Sequence, residues 1–214
     1  MSKKPFVAIV AACALASSVT NHAQLSPAGV QEPAWSPDGK RVAVSYLDRI
    51  WTMAADGKQA RPIVAESRTQ VPQDLVEREP AWSPDGTRIA YALNRGTGFD
   101  IVVVAMKNGL ATGNPTTVTT LPGDERWPSW TADGRIVFAH RAAPPAGRNG
   151  DPSLQYDIYI SVPVSGSDAW QAPLPLSETT DSETYPRVSP DGLKVAFISE
   201  RESEDDLDLW WMPV

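Results

Sequence analysis

Residues 33–44 read PAWSPDGKRVAV and residues 80–91 read PAWSPDGTRIAY. A chain that writes the same dozen residues twice is using them as a structural unit, and the segment parses as one. Pro-Asp-Gly is turn chemistry: proline presets φ, aspartate bonds nearby backbone, and glycine accepts a positive φ. A short extended run carrying Trp35 or Trp82 precedes the turn. After it, apolar residues alternate as Val42, Val44 and Tyr46, then Ile89, Tyr91 and Leu93. The positions between them, such as Ala43 and Ala90, are small. A strand apolar on both sides is buried on both faces, and small residues let a neighbouring sheet approach.

Two decayed copies follow. Pro128-Ser129-Trp130-Thr131-Ala132-Asp133-Gly134 leads into RIVFAH, and Pro186-Arg187-Val188-Ser189-Pro190-Asp191-Gly192 leads into LKVAFIS. The turn aspartates Asp38, Asp85, Asp133 and Asp191 are spaced 47, 48 and 58 residues apart. A period of this size with turn signals marks a repeat architecture, most often a propeller blade. A third strand follows in each copy, at Arg49–Met53, Asp100–Val104, Asp157–Ile160 and Asp208–Met212. In the first three it runs to a turn pair: Asp56-Gly57, Asn108-Gly109 or Ser165-Gly166. A more polar fourth strand is expected through Ile63, through Thr117–Leu121 and through Leu174–Leu176. The expected class is therefore all-β: a β-propeller of four-stranded antiparallel blades with about four repeats, at about 31–65, 78–121, 126–177 and 184–214. The third repeat carries an insertion from His140 to Gln155. The fourth has no outer strand before Val214, so the ring is expected to be incomplete. The alternative is a four-bladed ring in which Gln24–Ser26 supplies the missing strand.

This pattern resembles the TolB-type WD40-like (PD40) repeats, over residues 24–214. The resemblance implies a propeller like that of the periplasmic translocation protein TolB, or like those preceding the catalytic domains of prolyl oligopeptidase-like, tricorn-like and amidohydrolase-like enzymes. It is specific for fold and poor for function. A TolB-type protein would carry a small α/β domain before its propeller, and here only a few residues separate the first repeat from the N-terminal segment.

Residues 1–23 read as an export signal: Lys3 and Lys4, an apolar run from Phe6 to Ala16, then small and polar residues. Cleavage fits after Ala16 or Ala23. Cys13, the only cysteine of the chain, lies inside this segment; lipid attachment there is the lesser alternative to a periplasmic or secreted protein without disulfides. Of 19 basic residues, 17 remain beyond the segment against 26 acidic ones, a net charge of −9. That balance speaks against nucleic acid and anionic lipid as partners. No transmembrane span is expected, and oligomeric state is not legible.

No Gly-x-Ser-x-Gly elbow, metal-ligand spacing or phosphate-cradling loop occurs, so no catalytic residue, metal or cofactor is assigned. His140 ends the second strand of its repeat, in the column of Tyr46, Leu93 and Ser199, and reads as a packing residue. The acidic run Glu200–Asp208 reads as a solvated hairpin loop. One column stands out three residues before the motif proline: Glu77, Glu125 and Glu183, with Val30 in the first repeat. Such carboxylates could ring a channel and receive a basic group, or bond local backbone. Trp127 and Tyr185, directly before the prolines, are candidate contact anchors beside them. The expected function is a non-catalytic module binding a protein or peptide. The alternative is the propeller part of a larger hydrolase whose catalytic domain is elsewhere.

Overall fold

A computed structural model describes residues 29–64, 75–143, 155–200 and 207–214. The export segment, Cys13, Gln24–Ser26, most of the third repeat's insertion and most of the Glu200–Asp208 run lie outside the described residues.

Fifteen strands make four antiparallel sheets with no helix among the described residues. The first sheet holds β1 (Gln31–Trp35), β2 (Arg41–Tyr46), β3 (Arg49–Ala54) and β4 (Arg61–Pro62). The second holds β5 (Val76–Trp82), β6 (Arg88–Asn94), β7 (Phe99–Lys107) and β8 (Leu110–Thr117). The third holds β9 (Gly123–Trp130), β10 (Ile136–Ala142), β11 (Asp157–Ser161) and β12 (Leu174–Pro175). The fourth has three strands, β13 (Glu183–Val188), β14 (Lys194–Ser199) and β15 (Asp208–Pro213). Each sheet pairs its strands in chain order. The innermost strands pack side by side in the sequence β1, β5, β9, β13 around one axis, and no comparable packing joins β13 back to β1. These are four blades of a β-propeller. The fourth strand of the second blade begins earlier than the sequence suggests, because Asn108 and Gly109 (φ 54° and 78°) turn the chain directly into β8.

The repeated turn is held by its hydroxyl as much as by its aspartate. Ser36 donates its hydroxyl to Asp38 Oδ1 at 2.7 Å and accepts the N–H of Arg41 at 2.9 Å. Ser83 with Asp85 and Arg88, Thr131 with Asp133 and Arg135, and Ser189 with Asp191 and Lys194 repeat the arrangement. The glycine that follows takes φ between 68° and 87° in all four copies. A side chain bound this way inside its own turn is accounted for by the structure of the turn.

The core lies between blades. Ile89, Tyr91, Val102 and Val104 of the second blade pack on Ala43, Ile50 and Ile63 of the first. Ile136, Phe138 and Trp130 of the third pack on Ala90, Ala92, Ile101 and Val103 of the second. Val195 and Phe197 of the fourth pack on Val137, Ala139, Ile158 and Ile160 of the third. The small residues read from the sequence are thus the contact face that each following blade covers. In the fourth blade that face is bare: Leu209 is 77% and Trp211 62% exposed, whereas the matching Ile50, Ile101 and Ile158 are 0% exposed.

Candidate functional site at the propeller axis

The innermost strand of every blade breaks register at one place: between Gln31 and Ala34, Arg78 and Ala81, opposite Val137–Ala139, and between Thr184 and Arg187. Each break holds the residue before the motif proline. Glu32, Glu79, Trp127 and Tyr185 take φ of 54°, 61°, 55° and 54°. A bulky residue at positive φ is uncommon, and the residue before proline normally prefers extended backbone. Bulges of this kind re-aim side chains, and backbone in sparsely populated regions concentrates at functional positions. Here the bulges direct four side chains towards the axis.

What those side chains do changes around the axis. Glu32 accepts the hydroxyl of Ser45 at 2.5 Å and the backbone N–H of Glu79 at 2.7 Å. Glu79 in turn accepts the N–H of Trp127 at 2.6 Å, together with both Nε and Nη2 of Arg126. Each glutamate therefore clasps the corresponding residue of the next blade. Burial raises the pKa of Glu79, against the lowering effect of Arg126. At the third junction the clasp is replaced by stacking: the Trp127 and Tyr185 rings lie 4.3 Å apart at 35°. Trp127 also meets Tyr156 edge-on at 5.2 Å and lies under the Arg126 guanidinium at 5.2 Å.

These residues surround a cavity of about 430 Å³ on the axis. Its wall carries Trp82, Trp127, Trp130 and Tyr185, prolines from the innermost strands, Glu32 and Glu79, and Arg187. Arg187 follows the motif proline, at a position held by Ala34, Ala81 and Ser129 in the other blades. Its Nη1 donates to Pro186 O at 2.9 Å, and among the described residues it forms no ion pair. Desolvation by its surroundings lowers its pKa, with the charges of Glu79 and Glu32 opposing.

The five sequence candidates separate into two groups. Trp127 and Tyr185 line the cavity. Glu77, Glu125 and Glu183 are buried at 5%, 0% and 0% exposure and are not among its lining residues. Each serves the third strand of the preceding blade. Glu77 Oε2 accepts the N–H of Ile50 directly at 2.7 Å. Glu125 accepts the hydroxyl of Thr119 at 3.0 Å, and that oxygen accepts the N–H of Ile101 at 2.9 Å. Glu183 accepts from Ser177 Oγ, which takes the N–H of Ile158 at 2.9 Å. This is the backbone-bonding alternative, in two cases relayed through a hydroxyl. Glu125 Oε1 also lies 2.8 Å from His140 Nδ1, so His140 is a buried partner of that junction. Burial raises the pKa of Glu125, while bonds from His140 and Thr119 lower it.

Glu32, Glu79, Ser45, Arg126 and Arg187 were not singled out by sequence reasoning. The signal for the first two was present, since they share the column of Trp127 and Tyr185 before the motif prolines. No group of His, Cys, Asp and Glu among the described residues could hold a metal ion, and no described helix is long and apolar enough to cross a membrane.

No protein-family model and no curated protein matches the chain. Solved structures do. TolB from Acinetobacter baumannii superposes on 86% of this chain at a TM-score of 0.56 with 20% identity. A puromycin-hydrolysing peptidase from Mycobacterium tuberculosis does so on 86% at 0.57 with 19% identity, and a prolyl endopeptidase on 86% at 0.57 with 15%. The class is thereby settled: this is a β-propeller. Its fold is that of the TolB-like propellers, shared with the propellers of these peptidases. The chain spans 40% of the length of the Acinetobacter protein and 29% and 28% of the two peptidases.

Proposed function

We propose that this is an exported, non-catalytic propeller that binds an extended segment of a protein or peptide in its axial cavity. The observation that carries the reading is the change of chemistry at the axis. Two blade junctions close their bulges with carboxylate-to-backbone bonds, while the third presents the Trp127–Tyr185 pair to the cavity. Aromatic anchors in a concave wall are the side chains that dominate peptide and protein contacts. Trp127 and Tyr185 make the contact; Glu125 and Glu183 tie the strands that carry them to the preceding blade, as Glu77 does for β5. Residues 24–214 form the propeller unit, and residues 1–23 direct export to the periplasm or beyond. The acidic balance of the chain favours such a partner over nucleic acid.

Selection of peptides from a random displayed library on the purified chain tests this. Enriched peptides should lose at least about tenfold in affinity for Tyr185→Ala, the cost of one aromatic contact. Peptides that bind Tyr185→Ala and Trp127→Phe as well as the parent would place the contact elsewhere and overturn the reading.

A second reading has its own support: the propellers of two peptidases superpose as well as TolB does. In it, the same cavity belongs to the propeller part of a hydrolase, filtering or holding substrate. The reading frame downstream of codon 214 discriminates: continuing sequence with a nucleophile elbow or a metal-binding barrel favours the enzyme, and unrelated sequence after a stop codon removes it.

A further inference from the structure

The fourth blade departs from the repeat at two adjacent wall positions. Where the first two blades have Glu32 with Ala34 and Glu79 with Ala81, the fourth has Tyr185 with Arg187. In a repeat protein the common residues build the scaffold, so a departure that falls on the concave wall needs its own account. Tyr185 is exposed and stacks on Trp127 across the blade junction. Arg187 replaces a small residue with a guanidinium and has no carboxylate partner among the described residues. The two acids of the wall are already committed, Glu32 to Ser45 and the Glu79 N–H, and Glu79 to Arg126 and the Trp127 N–H. The wall thus holds an uncommitted cation beside an aromatic pair.

We infer that Arg187 is the binding point for a carboxylate of a peptide ligand, with an apolar side chain next to that carboxylate set on the Trp127–Tyr185 pair. This rests on the axial cavity being the binding site, and adds the chemical class of the group bound. A guanidinium donates two parallel N–H bonds to a carboxylate, and Arg187 is exposed to a ligand entering the cavity. The shared charge of Glu32 and Glu79 on the same wall disfavours ligands of higher negative charge, such as phosphate, for which one arginine is a poor match. The proline and tryptophan wall suits an extended chain carrying few other charges.

The test is an NMR titration of the ¹⁵N-labelled chain with three small probes. N-acetyl-tryptophan carries a terminal carboxylate, N-acetyl-tryptophanamide carries none, and acetyl-Trp-Asp-amide carries one on a side chain only. Shifts of the Trp127 and Tyr185 resonances should saturate with a carboxylate probe at concentrations roughly ten- to a hundredfold below those needed for the amide, the usual worth of a charge-assisted bond. Which of the two carboxylate probes binds tells whether the ligand offers a chain terminus or an acidic side chain. Arg187→Ala should bring both down to the level of the amide without changing the unfolding midpoint, and Arg187→Lys should restore part of the difference. Equal binding of all three probes at these resonances, unaffected by Arg187→Ala, overturns the carboxylate assignment and leaves the cavity as the site. A carboxylate preference that survives Arg187→Ala, or displacement of the probe by equimolar inorganic phosphate, also overturns it. Perturbation by no probe at tens of millimolar counts against the cavity itself.

Discussion

The carboxylate of Glu79 accepts the backbone N–H of Trp127 at 2.6 Å, joining the residue before the motif proline in one blade to its counterpart in the next. The same oxygen pair holds Arg126, so one buried side chain fixes a backbone bulge, a guanidinium and a blade junction together. Glu79→Ala should cost about 2–4 kcal/mol in urea unfolding, because it strands a buried N–H and leaves Arg126 without its partner. Loss of less than about 0.5 kcal/mol, the range of an ordinary surface substitution, would show that the clasp contributes nothing.

The hydroxyl relay at the next junction makes a sharper comparison. Thr119→Val keeps the shape but leaves the Ile101 N–H and a Glu125 oxygen unsatisfied. It should destabilise by about 1–3 kcal/mol, while Thr119→Ser stays close to the parent. Amide exchange at Ile101 is the local readout: faster in Thr119→Val, unchanged in Thr119→Ser.

Glu125 supplies a pH dependence with a defined sign. Burial, opposed by its bonds from His140 and Thr119, raises its folded pKa above the ordinary value of 4.5. Between 4.5 and that raised value the folded state holds more protons than the unfolded state, so stability falls as pH rises through this window. Glu125→Gln removes the titration. The stability of the parent relative to Glu125→Gln should therefore decline as pH is raised from 4.5, and a flat difference would refute the assignment. The turn aspartates act in the opposite sense. The Thr131 hydroxyl and Arg135 lower the pKa of Asp133, so its contribution is present above 3.8 and disappears as pH falls through the lowered value.

The bare column of the fourth blade should behave unlike its equivalents. Ile158→Ala, between two blades, should cost about 2–5 kcal/mol. Leu209→Ala, at the matching position, should cost less than about 1 kcal/mol, since little of that side chain is removed from water. Similar losses at both positions would mean that Leu209 is covered in solution.

The carboxylate column shows how far sequence reasoning reached. Period and position identified Glu77, Glu125 and Glu183 as equivalent, and they are. Their direction was not legible, because a residue near a blade crossover can face the axis or the preceding blade depending on which backbone N–H lacks a partner. Ile50, Ile101 and Ile158 supply those N–H groups from 24 to 27 residues away in the chain. Thr119 and Ser177, which relay two of the bonds, are unremarkable in sequence. The pre-proline column was legible only in part: aromatic residues drew attention to Trp127 and Tyr185, and the chemically different Glu32 and Glu79 hid the same position.

The amino-acid sequence by itself determined the architecture: turn chemistry is local, strand burial follows from alternation, and a period near 47 residues permits few folds. Tertiary structure decided which side chains meet at the axis. The bulge before each motif proline reverses the usual backbone geometry of that residue, and only the packing of four innermost strands around one cavity brings Glu79, Trp127, Tyr185 and Arg187 together. Their separation along the chain exceeds 100 residues, a distance over which local propensity carries no information.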